Sequence, residues 1–143
     1  MSNDERRPGI DQLVSREHRR LDAMFAELQG AMSEGKSAAA GGIFAQLREA
    51  MEDHLAREDR LYYPALRALR PDHRRSLHEF ATAHDAFRAE LAALASAFDG
   101  APMAELQPRI EAIADRFAAH EAGEESLLRR IDAEIEGKGS PLA

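Results

Sequence analysis

Met51-Glu52-Asp53-His54-Leu55-Ala56-Arg57-Glu58 is answered 66 residues later by Phe117-Ala118-Ala119-His120-Glu121-Ala122-Gly123-Glu124. Each stretch sets a glutamate four residues after a histidine and a bulky apolar residue three before it. On an α-helix, residues three and four apart share one face, about 5–6 Å apart at Cβ. His54 with Glu58, and His120 with Glu124, therefore aim at one point beside a core stripe. His18 and His84 are also 66 residues apart. The apolar register follows the same offset: Leu21 with Phe87, Phe25 with Leu91, Leu28 with Leu94, Phe44 with Ile110, Leu47 with Ile113, Met51 with Phe117 and Leu61 with Leu127. The chain reads as two helical hairpins, each supplying one lone His and one His-x-x-x-Glu pair.

Outward from the repeat, apolar residues recur at helical spacing in four stripes. They are Leu13, Leu21, Phe25, Leu28 and Met32; Phe44, Leu47, Met51, Leu55 and Tyr62; Phe80, Phe87, Leu91, Leu94 and Phe98; and Ile110, Ile113, Phe117, Leu127, Leu128 and Ile131. Breakers separate them: Gly30, Gly35 and the pair Gly41-Gly42, then Pro64 and Pro71, then Asp99-Gly100-Ala101-Pro102, with Pro108 early in the last segment. Pro64 should kink or end the second helix, with a brief helical resumption through Leu66 and Leu69. No alternating run reads as a strand. Four long helices with short connections predict an all-α, up-down-up-down antiparallel four-helix bundle over residues 11–136. The small, polar ends, residues 1–10 and 137–143, are expected to be disordered tails.

The 143 residues include 19 basic and 26 acidic side chains and no cysteine. Disulfides, thiolate metal sites and cysteine nucleophiles are therefore excluded. The net charge of -7 argues against a nucleic-acid binder, which ordinarily carries a basic face. No apolar run approaches the roughly 18 residues of a membrane span. The polar start lacks the apolar core of a signal peptide. A cytoplasmic monomer or weak homodimer is expected.

Because Leu21 and Phe25 follow His18 at three and seven residues, and Phe87 and Leu91 do the same after His84, all four histidines should face the bundle axis. Four His and two Glu gathered there are costly unless a partner satisfies them. Metal ions supply that partner, and bundles hold them between facing helices. Imidazole with carboxylate suits iron, manganese or zinc. The repeat predicts two metals about a pseudo-twofold axis, with His18, His54, Glu58, His84, His120 and Glu124 as ligands and the two Glu bridging. The alternative is a metal-free set of core His and Glu in a helical interaction module.

His54-Leu55-Ala56-Arg57-Glu58 followed by Leu61-Tyr62-Tyr63-Pro64, together with His84-Asp85-Ala86-Phe87 and His120-Glu121-Ala122-Gly123-Glu124-Glu125, resembles the hemerythrin-like HHE cation-binding domain across about residues 11–136. The resemblance implies two non-haem iron ions joined by an oxo or hydroxo bridge. It also implies small ligands such as O2, nitric oxide or hydrogen peroxide. Oxygen-carrying members set two His four apart on the third helix, whereas the neighbours of His84 at that spacing are Phe80 and Arg88. Carriers also end with a carboxylate five residues after the last His, a place held here by Glu125. The repeat favours Glu124, with Glu125 the rival. Two His per iron leave an open position on both metals, which favours peroxide decomposition over reversible O2 or nitric oxide binding or iron buffering.

Around this set, Tyr62 stands one turn after Glu58, placed either to hydrogen-bond a ligand or to pack at the bundle end. Asp22, Asp85 and Glu121 either orient imidazole N–H groups or pair with the abundant Arg on solvent faces. His73 and His78 read as surface residues. Gly123, in mid-helix, serves packing or access or has no role.

Overall fold

A short turn at Glu34–Lys36 shows how this chain reverses. Gly35 takes the left-handed conformation at φ 71°, which a residue with a Cβ rarely adopts. The Lys36 N–H then bonds Ala31 O and the Gly35 N–H bonds Met32 O, so the last carbonyls of the preceding helix are satisfied. In the computed structural model, which describes residues 9–137, that turn joins α1 (Ile10–Ser33) to α2 (Ser37–Arg57). Gly30, Gly41 and Gly42, expected among the breakers, lie inside helices, because burial of Ala40 and Phe44 carries α2 back to Ser37. A single π-helical turn (Glu58–Tyr62) continues α2 into α3 (Tyr63–Leu69). A 3-10 turn at Pro71–His73 leads into α4 (Arg74–Ala97), and α5 (Met103–Gly137) closes the fold.

The π turn corrects the expected break at Pro64. Tyr63 N–H reaches back five residues to Glu58 O. Widening the turn relieves the crowding that a proline ring imposes on the carbonyl four residues before it. The rod continues with one residue more than a regular helix would use. From there the repeat offset falls from 66 to 65: Tyr63 answers Leu128 and Leu66 answers Ile131, and all four are buried. Leu61, expected to match Leu127, is 60% exposed while Leu127 is 4% exposed.

Packing of α1 on α2 and α5, and of α4 on α5 and α2, gives an antiparallel up-down-up-down bundle. Its interior has two apolar clusters. The larger gathers Leu28, Leu47, Met51, Leu91, Ile113 and Phe117; the smaller gathers Val14, Tyr63, Leu66, Leu77, Leu127 and Ile131. Val14, not Leu13, is the buried residue one turn before His18. Burying each Leu-sized side chain contributes about 1.5–3 kcal/mol. Between the clusters runs a polar layer of histidines and carboxylates. No helix of the described residues is long and apolar enough to cross a membrane. Residues 1–8 and 138–143 of the two expected tails lie outside the described residues.

Candidate metal centre

Each of the four bundle walls sends side chains into the polar layer. α1 supplies His18, α2 His54 and, at its end, Glu58, α4 His84, and α5 His120 and Glu124. His18, His54, Glu58, His84 and Glu124 are at most 2% exposed, and His120 is slightly more open. The layer resolves into two groups, His18–His54–Glu58–Glu124 and His84–His120–Glu58–Glu124, each with ligand atoms within 4.8 Å of one another.

The carboxylates divide evenly between the groups. Glu58 turns Oε2 to His54 Nε2 at 3.3 Å and Oε1 to His84 Nε2 at 3.1 Å. Glu124 turns Oε1 to His18 Nε2 at 3.1 Å and Oε2 to His120 Nε2 at 3.5 Å. Four imidazole Nε2 atoms thus face two carboxylates, one oxygen to one nitrogen. His54 Nε2 and Glu58 Oε2 are fully buried yet make no hydrogen bond. Orphaned buried polar atoms carry a large desolvation cost. A cation between them removes it, so the residues fit a bound metal.

Outside the layer, carboxylates hold the far side of three imidazoles. Glu17 Oε1 lies 2.5 Å from His54 Nδ1, Glu125 Oε2 lies 2.7 Å from His18 Nδ1, and Asp59 Oδ1 lies 2.9 Å from His84 Nδ1. Such partners fix the ring and the tautomer of a metal-binding histidine. Glu17 is itself held by Arg57 and by the Tyr62 hydroxyl, and Asp59 by Arg88. Tyr62 therefore reaches the layer only through Glu17. Of the two rival glutamates, Glu124 faces both groups and Glu125 backs His18.

Tyr63, absent from the residues singled out by sequence, enters the layer in the place expected for Tyr62. Its hydroxyl donates to Glu124 and stands 3.3 Å from both Glu58 Oε1 and His84 Nε2, with its ring stacked on His84. The π turn explains this: its wider pitch stacks residues five apart, not four. Proline at 64 was the available signal. Glu17 and Asp59 were also missed, since charged neighbours of ligands read as solvated.

Among the other residues named from sequence, Glu121 is buried with Oε2 unpaired, 3.9 Å from His18 Nδ1 and beside Asp22. Asp85 is exposed and pairs only with Arg88. His73 pairs with Glu134 on the surface, and His78 is exposed. Gly123 gives room to Phe80: a Cβ there would sit 3.2 Å from Phe80 Cε1, whose ring meets His120 edge-on.

The electrostatics follow from these contacts in the metal-free chain. Burial pushes the His54 imidazolium down, but Glu17 and Glu58 override it and raise the group to about 10. Burial pushes Glu17 up, and His54 with Arg57 override that to about 2. Glu124 is likewise held well below the usual range by His120 and His18 against its burial. Burial and the Asp22 carboxylate push Glu121 up to about 9. Tyr63 is pushed up by burial and by Glu124 and Glu58, so its hydroxyl keeps its proton.

The model of the hemerythrin HHE cation-binding domain family matches residues 9–131. No curated protein and no solved structure matches the chain.

Proposed function

Since the chain belongs to the hemerythrin HHE cation-binding domain family, we propose that it holds two iron ions and decomposes hydrogen peroxide to water and O2. One observation carries this reading: the histidines divide two and two, with both carboxylates shared. Two His and two shared carboxylate oxygens on each side would leave a metal held there open to a small ligand. Iron, when bound, supplies the electron exchange that disproportionation needs. Manganese or zinc fits the same ligands, but zinc cannot change oxidation state.

The chain's own residues supply the setting. Glu58 and Glu124, each facing both histidine pairs, would be shared between the ions, with His18 and His54 holding one and His84 and His120 the other. Glu17, Glu125 and Asp59 keep three imidazoles turned with Nε2 inward. Tyr63 carries a proton at Oη between Glu58 and Glu124 and within reach of His84, which suits it to donate a hydrogen bond to a small oxygen-containing substrate. The apolar crevice of about 10 Å³ that reaches Glu124 past Val14, Tyr63, Phe80 and Leu127 has room for about one water. So small a space favours a ligand of two or three atoms over a bulky one.

The test is oxygen evolution from hydrogen peroxide by chain loaded anaerobically with ferrous iron and then exposed to air. The expected result is two irons per chain and one O2 per two peroxides consumed. A stable, reversible oxygenated spectrum with no evolved O2 would replace turnover by binding. One metal or none would remove the diiron centre itself.

A further inference from the structure

Every imidazole of the polar layer presents Nε2 inward, but what stands behind the ring differs. His18 and His54 both rest on carboxylates, Glu125 at 2.7 Å and Glu17 at 2.5 Å. His84 rests on Asp59 at 2.9 Å, a carboxylate whose charge is matched by Arg88 at 2.5 Å. His120 has no carboxylate within 4.0 Å of Nδ1 among the described residues. Its ring is instead packed by Phe80, Phe87 and Phe117, at centroid distances of 5.5, 5.3 and 6.2 Å. The pseudo-twofold repeat therefore holds for the ligands and fails for their supports.

We infer that the two cation positions are unequal: the His18–His54 position fills first and empties last, and the His84–His120 position is the exchangeable one. This rests on the two-metal reading above and adds an order to it. A carboxylate behind an imidazole fixes its orientation and raises its basicity, and losing such a partner costs about 10–100-fold in metal affinity. Charge acts in the same direction. Two anions, Glu17 and Glu125, back the first position, with Arg57 offsetting one of them. The single anion behind the second position is offset by Arg88. Repulsion between two cations that share two carboxylates separates the binding steps even for equal positions. The decisive quantity is thus which position keeps the last ion, not the mere presence of two steps.

Titration of the metal-free full chain with Co2+, followed by calorimetry and by cobalt absorption, tests the order. His120→Ala leaves the first position intact, and His18→Ala leaves the second. The one Co2+ remaining should bind about 10–100-fold more tightly in His120→Ala than in His18→Ala. Glu17→Gln and Asp59→Asn preserve side-chain size and all six ligands, and cover the case in which a histidine variant fails to fold. Glu17→Gln should weaken the first step of the two, and Asp59→Asn only the second. Equal affinities in the histidine pair, or the reverse assignment in the carboxylate pair, would overturn the ordering while leaving the two-metal reading intact. A wild-type chain that takes up fewer than two Co2+ would overturn both.

Discussion

The first hairpin, α1 through α3, and the second, α4 with α5, carry matching histidines and glutamates at matching spacing, yet they leave the polar layer differently. In the second, α5 runs on as an unbroken α-helix and places Leu127 and Leu128 under Glu124. In the first, the π turn adds a residue, and Tyr63 arrives under Glu58 with its hydroxyl in the layer. A second difference lies in the slot one residue after each paired histidine: Leu55 in the first hairpin, the buried carboxyl of Glu121 in the second. The duplicated histidines and glutamates thus sit in unlike surroundings. Position in the repeat predicts which atoms face the centre, and it does not predict what supports or protonates them.

Removing a shared carboxylate tests the symmetric part of the comparison and should have the largest effect. Glu58→Ala and Glu124→Ala each face both histidine pairs, so each should lower metal content from two per chain to none by elemental analysis. One metal left in either variant would mean that the two hairpins serve separate positions. Tyr63→Phe tests the asymmetric part. It deletes the donor between the two carboxylates, and the metal-free chain should lose about 1–3 kcal/mol in urea unfolding, the cost of leaving buried acceptors unpaired. Unchanged stability would make the extra residue of the first hairpin irrelevant to the layer.

Glu121 provides the pH test. Its carboxyl, pushed up to about 9 in the folded chain, stays protonated while the unfolded chain ionises near 4.5. The unfolded state then binds fewer protons, so folding stability is lost as pH rises from about 4.5 through 9. Glu121→Gln removes that slope. The metal-free variant should melt on the order of 10 °C above wild type at pH 8, at about 3 °C per kcal/mol, and nearly level with it at pH 4.5. An equal gain at both values would break the assignment. The smallest effect is expected at Gly123, whose counterpart is Arg57. Alanine there gains about 1 kcal/mol of helix propensity but crowds Phe80. The gain should appear in thermal melts only when combined with Phe80→Leu.

The bundle and its six inward histidines and glutamates were legible because two constraints coincide in the sequence. The histidines repeat with the apolar stripes that bury them, and four-residue spacing on a helix fixes a shared face. Tyr63 was hidden because a periodic reading assumes one pitch throughout; five hydrogen-bonded residues ahead of Pro64 change that pitch, and Tyr62 loses its place. Glu17 and Asp59 were hidden for another reason. Their partners lie on other helices, 37 and 25 residues away, and no local pattern marks a charge that is bonded across the bundle. Gly41-Gly42 misled because tertiary burial of Ala40 and Phe44 outweighs the weak helix propensity of glycine.

The polar layer divides the interior into an upper and a lower apolar cluster, and this division sets how the chain opens. Without a cation, the two clusters communicate across a stratum of imidazoles and carboxylates rather than through close-packed carbon. The lower cluster, built from the start of α1, α3, the start of α4 and the end of α5, is the smaller of the two. Its amides should exchange with solvent through a sub-global opening well below the global unfolding free energy, while those around Leu47, Leu91 and Ile113 wait for complete unfolding. A cation held in that layer would tie the two clusters together. The protein would then report its metal status as a change in how many pieces it unfolds in, a signal open to any protease that samples the lower end.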